Sequence, residues 1–250
     1  MSNFYVTLPS NSSMEFYSDN TLTHYVTKLP QRIHLKGEWE VGLTDIHYPH
    51  SWYNLRGAEI LLIKNKGSKL FHIENGYYES TENLVDTINK LVKTELHEES
   101  VHLSYNPVNQ HVSVKVVAPW RFLPNTHMGN VLGFGAQQTS FDGGTNYETY
   151  RGEHVAALNQ GIYGLFVYSD IVEPQTVGDR LVPLLRTVPI TGRHGENVAT
   201  YFQNVHYVNL LRKEFDMVEI DIRDDTGQPI PFEQGKLMLT LHFRKKQLLL

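Results

Sequence analysis

Residues 236–244, KLMLTLHFR, most narrow what this chain can become. Leu237, Leu239, Leu241 and Phe243 recur at every second position, with Met238, Thr240 and His242 between them. Side chains alternate across a strand, so this period of two describes a strand with one face buried. Eleven further short segments read the same way: 4–8, 21–29, 39–46, 58–64, 69–73, 101–105, 111–117, 162–169, 181–190, 205–211 and 217–223. Turn residues divide them, including Asn106-Pro-Val-Asn-Gln110 and Asp224-Asp-Thr-Gly227. About a dozen strands in 250 residues, with no linker or internal repeat, predict an all-β fold: a β-sandwich of antiparallel sheets in one domain.

Two stretches depart from the pattern. After Ser80, the residues Leu84, Val85, Ile88, Leu91, Val92 and Leu96 fall on one face at helical spacing. Ser80 suits an N-cap, and Glu82 stands in the first turn where the helix dipole favours an anion. This predicts one amphipathic helix at about 80–97, lying on a sheet as an insertion. Residues 118–161 contain seven glycines and two prolines and read as an irregular loop insertion, with Asn125 or Thr126 capping a short helical turn through Leu132.

The chain has no cysteine, which removes disulfides, thiolate metal sites and cysteine nucleophiles together. Net charge is −5 and is spread over both halves. No broad basic face is expected, so nucleic acid contact is confined to the basic end Arg244-Lys245-Lys246, which precedes Leu248-Leu249-Leu250. The first residues, MSNFYVTLPSNSS, lack the basic and apolar regions of a secretory signal. No apolar run approaches the roughly 20 residues of a membrane span, so no membrane partner is expected.

Signals of catalysis are weak. Gly-x-Ser-x-Gly, the phosphate-binding loop and His-Glu-x-x-His are missing, and His97-Glu98-Glu99-Ser100-Val101 ends in Val where the last motif needs His. Gly133-Phe134-Gly135 follows no strand. Asp221 to Gly227 resembles a calcium loop only loosely, because Arg223 stands at a ligand position; a charged hairpin turn fits better. His47 and His50 raise the question of a metal site. Pro49 holds Tyr48 extended, and positions three apart on an extended chain point to opposite sides. They are therefore read as the corner of a strand whose inward row is Trp39, Val41 and Leu43, with Trp52 and Tyr53 packed behind. No catalytic, metal or cofactor-binding residue is assigned, and no cofactor is expected. Thirteen histidines leave room for a pH-responsive interface.

Three blocks carry a resemblance: FYVTLPSNSSMEFYSDNTLTHYVTKLPQRIHLKGEWEVGLTDIHYPHSWYNL at 4–55, GLFVYSDIVEPQTVGDRLVPLLRTVPI at 164–190, and VHYVNLLRKEFDMVEIDIRDDTGQPIPFEQGKLMLTLHFR at 205–244. They resemble the minor capsid (penton) proteins of Polinton, or Maverick, elements and of adintoviruses. The resemblance implies a single jelly-roll of two four-stranded sheets, with the helix and the loop as decorations. It implies a homopentamer at the vertices of an icosahedral virion, beside a double jelly-roll major capsid protein, and no catalysis. Contacts in such a ring are rich in aromatic and Arg side chains, which makes 141–151 a candidate contact loop. Two other readings use the same fold: a lectin-like or receptor-binding sandwich, and a hydrolase with acids or histidines gathered in a cleft.

Overall fold

The computed structural model describes residues 2–65, 67–96, 100–135, 139–158 and 162–246. In chain order the strands are β1 (Asn3–Pro9), β2 (His24–His34), β3 (Trp39–Pro49), β4 (Glu59–Lys64) and β5 (Gly67–His72). Helix α1 (Thr81–Leu96) follows, then β6 (Val101–Asn106), β7 (His111–Val116), β8 (Trp120–Pro124), α2 (Thr126–Val131), β9 (Phe141–Asp142) and β10 (Glu148–Arg151). The last part holds β11 (Gly164–Ser169), β12 (Gln175–Val177), β13 (Arg180–Val182), β14 (Leu184–Pro189), β15 (Asn197–Tyr201), β16 (Val208–Asn209), β17 (Glu214–Arg223) and β18 (Met238–Lys245).

The chain divides into two compact units, one made of Met1–Trp52 with Gly161–Leu250, the other of Tyr53–Gln160. In the first, one sheet runs β1-β18-β3-β15, with β16 also on β3, and the other runs β14-β11-β17-β2. Setting aside the short β12, β13 and β16, eight strands remain. The first pairs with the eighth, the second with the seventh, the third with the sixth and the fourth with the fifth, all antiparallel. This nesting is the jelly-roll, an antiparallel ribbon folded over on itself.

The period-two rows build its core. Leu237, Leu239, Leu241 and Phe243 are fully buried, facing Val218, Ile220 and Ile222 of β17 and Val167 of β11 in one cluster. Strand β3 changes phase midway: Trp39, Val41 and Leu43 are buried, then Ile46 and Tyr48. The cause is a bulge, since Leu241 opposes Leu43 while Thr240 opposes Asp45, leaving Thr44 extra. The Thr44 hydroxyl donates to the Thr240 carbonyl at 3.0 Å, repairing the interrupted ladder.

The second unit has its own core beneath sheets β5-β4-β8-β9 and β10-β7-β6. Helix α1 forms where expected: the Ser80 hydroxyl accepts from the Asn83 N–H at 3.1 Å, and Leu84, Val85, Ile88 and Val92 are buried. Asn89 fixes it to β6 by donating to the Leu103 carbonyl at 2.8 Å and accepting the Leu103 N–H at 2.9 Å. Residue 97, the expected helix end, lies outside the described residues.

Tyr53–Gln160 buries its own set of side chains between the third and fourth strands of the jelly-roll. Residues 118–158 do not form the irregular loop expected there, for they supply β8, α2, β9 and β10. Alternation is too short in these pieces to register as a strand pattern, and the glycines serve packing. A Cβ on Gly143 would stand 2.3 Å from the Val117 carbonyl carbon. At Gly133, where φ is +81°, it would stand 2.2 Å from the His154 carbonyl oxygen. Asn125 caps α2 by accepting the Met128 N–H at 2.9 Å. Among the described residues no helix is long and apolar enough to cross a membrane.

The inward row of β18, Leu239, Leu241 and Phe243, is fully buried. Leu241→Ala is expected to lower stability by about 2–5 kcal/mol, read as a fall in the urea midpoint with an unchanged slope.

Candidate assembly surface

The structure separates His47 from His50. The His47 ring meets Tyr201 edge-on at 5.6 Å and lies 3.6 Å from the Asp45 carboxylate. His50 turns the other way, stacking on Trp52 at 4.1 Å with His194 6.2 Å away. Pro49 ends β3, and Trp52 packs against Tyr48 and Phe232. No group of three or more metal-ligating side chains occurs among the described residues. The loop that loosely resembled a calcium site is a closed turn: Asp224 accepts the N–H groups of Thr226 and Gln228, both at 2.9 Å. Arg223 fills its interior, bonding Asp221 at 2.6 Å and the Gly227 carbonyl at 2.8 Å.

Burial holds His50 below its ordinary value of 6.5; His194 adds to this, while the Gly192 and Thr191 carbonyls and Glu196 oppose it. His242 is lowered in the same sense, by burial and then by Arg244.

Strand β18 and its neighbours present a polar aromatic row on their outer side. Tyr5, 62% exposed, stacks on His242 at 4.4 Å. The Tyr207 hydroxyl is 2.7 Å from His242 Nδ1, and the Arg244 guanidinium lies 3.4 Å above the Tyr207 ring. Arg244 also bonds Glu40 at 2.6 Å. The basic end is thus engaged at Arg244, whereas 248–250 lie outside the described residues. Phe141 anchors the candidate contact loop 141–151, fully buried against Phe122, Phe134 and Tyr150, while most of the loop, including Tyr147 and Arg151, is exposed.

Two concavities were not anticipated. Outer strands β1 and β2 border a groove of about 760 Å³. Its lining includes Phe4, Ile33, Leu35 and Trp39 with Arg32, Lys36 and Lys245, and holds no carboxylate. Beneath the β12–β13 hairpin lies a cavity of about 800 Å³ with Asp170, Glu219, Asp221 and Asp225 in its wall. Three of these acids are tied down: Asp170 to Arg212 and the Glu219 N–H, Glu219 to His24 at 2.7 Å, and Asp221 to Arg223. Burial pushes the Asp170 carboxyl up, against the pull of the Glu219 N–H and Arg212, with the Glu219 charge adding to the rise. The sequence did hold a sign of the hairpin. Gly178-Asp179 can turn the chain and Pro183 cannot donate to a ladder, so 181–190 divides into β13 and β14 where one strand was expected.

Two solved structures resemble the chain over nearly its whole length. One is a crystal structure of the mavirus penton protein, with 11% identity and a TM-score of 0.50, covering 98% of this chain and 100% of that one. The other is a chain of the Sputnik virophage seen by cryo-EM, with 12% identity and a TM-score of 0.52, covering 98% of each. At such identity the likeness is one of fold, and it bears out the jelly-roll. No family model matches the sequence, and no curated protein does.

The lowered His50 sets a pH dependence with a definite sign. The folded state holds the imidazole neutral, while the unfolded chain takes the proton more readily. Stability from this site is therefore complete above pH 6.5 and declines as pH falls below it toward the folded value. The urea midpoint should be lower at pH 5.5 than at pH 7.5, and His50→Gln should narrow that difference, with His242 acting in the same direction.

Proposed function

We propose that this chain is a structural capsid protein of the penton type, forming homopentamers at the vertices of an icosahedral particle. The observation that carries the reading is the likeness to the mavirus penton protein across 98% of this chain and all of that one, so that both units take part in the match. The nested jelly-roll pairing supports it, as does the resemblance of three long blocks to the penton proteins of Polinton elements and adintoviruses. On this reading the chain works by surfaces instead of by chemistry. Its partners are its own copies and a double jelly-roll major capsid protein, and its place is the virion.

A vertex ring needs a heterologous contact, in which one flank of each subunit meets the opposite flank of the next. Such a contact buries roughly 1,200–2,000 Å². Light scattering after gel filtration is expected to give five times the 28.8 kDa chain mass, with five-fold rings in negative stain. A chain that stays monomeric, alone and with the major capsid protein of its own element, would sink the reading and favour the lectin-like alternative.

A further inference from the structure

Two surfaces of the jelly-roll differ in shape and in charge. On one flank, β1 closes one sheet and β2 closes the other, with the groove between them. Strand β2 leaves its ladder there, for Lys28 pairs with Met217 and Ile33 with Phe215, so the four residues between lie along the groove. The floor is apolar. The rim carries Arg32, Lys36 and Lys245 and no acid, in a chain of net charge −5. Arg32 is shared with Glu214 and Asp216 at 3.1 and 3.3 Å, whereas Lys36 and Lys245 enter no ion pair among the described residues.

A second surface is the outer face of the sheet β14-β11-β17-β2, where residues of β11 and β17 wall the cavity. From the β11–β14 connection the β12–β13 hairpin projects, and its two strands pair with each other and with no other described strand. Thr176 and Leu181 are opposed on it, and Leu181 is 73% exposed. Val177, Arg180 and Val182 instead line the cavity with the carboxylates. The outward face therefore offers a bare leucine, and at the tip Asp179, which also borders the cavity, lies 4.0 Å from Arg180 with its side chain 97% exposed. A two-stranded ribbon is marginal alone, and a large exposed apolar side chain gains by being covered.

We propose that the β12–β13 hairpin of one copy seats in the β1–β2 groove of the next. Leu181 meets the apolar floor and Asp179 approaches Lys36 and Lys245. Because hairpin and groove are different surfaces of one copy, the contact is head-to-tail and can close a ring. Apolar burial supplies most of the affinity, since exposed ion pairs contribute little, and the charges set register and orientation. This inference rests on the ring reading and names its contact.

The chain has no cysteine, which makes cross-linking a clean test. Lys36→Cys with Leu181→Cys, treated with diamide, is expected to give a disulfide-linked ladder up to five chains. Either single variant can give dimers at most. Both positions are on the surface, so folding is not at stake. Lys36→Glu with Lys245→Glu should cut the assembled fraction at least ten-fold. Five-chain mass without the ladder, and with the reversal variant still assembled, overturns the contact and leaves the ring standing. A monomeric parent without the ladder overturns both. A monomeric parent whose paired-cysteine variant still forms chains longer than two removes the closed ring and upholds the contact.

Discussion

Strand β18 is bonded on both sides, to β1 and to β3, and the first unit depends on that double pairing. It brings a segment near the end of the sequence between two near its start. Everything nested inside follows, because once the first strand lies on the eighth, the second can reach the seventh and so on inward. The same strand drives the sandwich shut, since its row from Leu237 to Phe243 is wholly removed from water. Bonds between such distant segments close long loops before they are rewarded, so the apolar row on β18 must offset a large entropic cost.

The bulge at Thr44 shows how one residue serves both demands. Without an extra residue, β3 could not bury Trp39, Val41 and Leu43 at its start and also Ile46 and Tyr48 at its end while staying in register with β18. The phase change also settles the two histidines. His47 falls on the outer side with Tyr201, and His50 beyond Pro49 packs on Trp52.

The insertion between the third and fourth jelly-roll strands is a compact unit with its own buried cluster. Several local features were legible. The Ser80 cap, the apolar face of α1, the inward row of Trp39, Val41 and Leu43, and the turn at Asp224 stand as the sequence implies. The candidate surfaces were harder to see. The groove draws on β1, β2, β3 and β18, which are far apart in sequence. Of the hairpin, only the end of β13 fell within a predicted strand, 181–190, where Pro183 marks the break before β14.

By itself the sequence determined what depends on neighbours along the chain: strands by their period of two, the helix by its period near 3.6 and its cap, and the exclusion of thiol chemistry by composition. Tertiary structure decided what depends on residues far apart. It set which strand pairs with which, where Thr44 breaks register, how Gly133 and Gly143 let backbones meet, and why β1 and β2 border a cationic apolar groove while the β12–β13 hairpin covers a cavity walled by carboxylates. The reason is physical: periodicity says which face of a segment avoids water, but not which other segment will cover it.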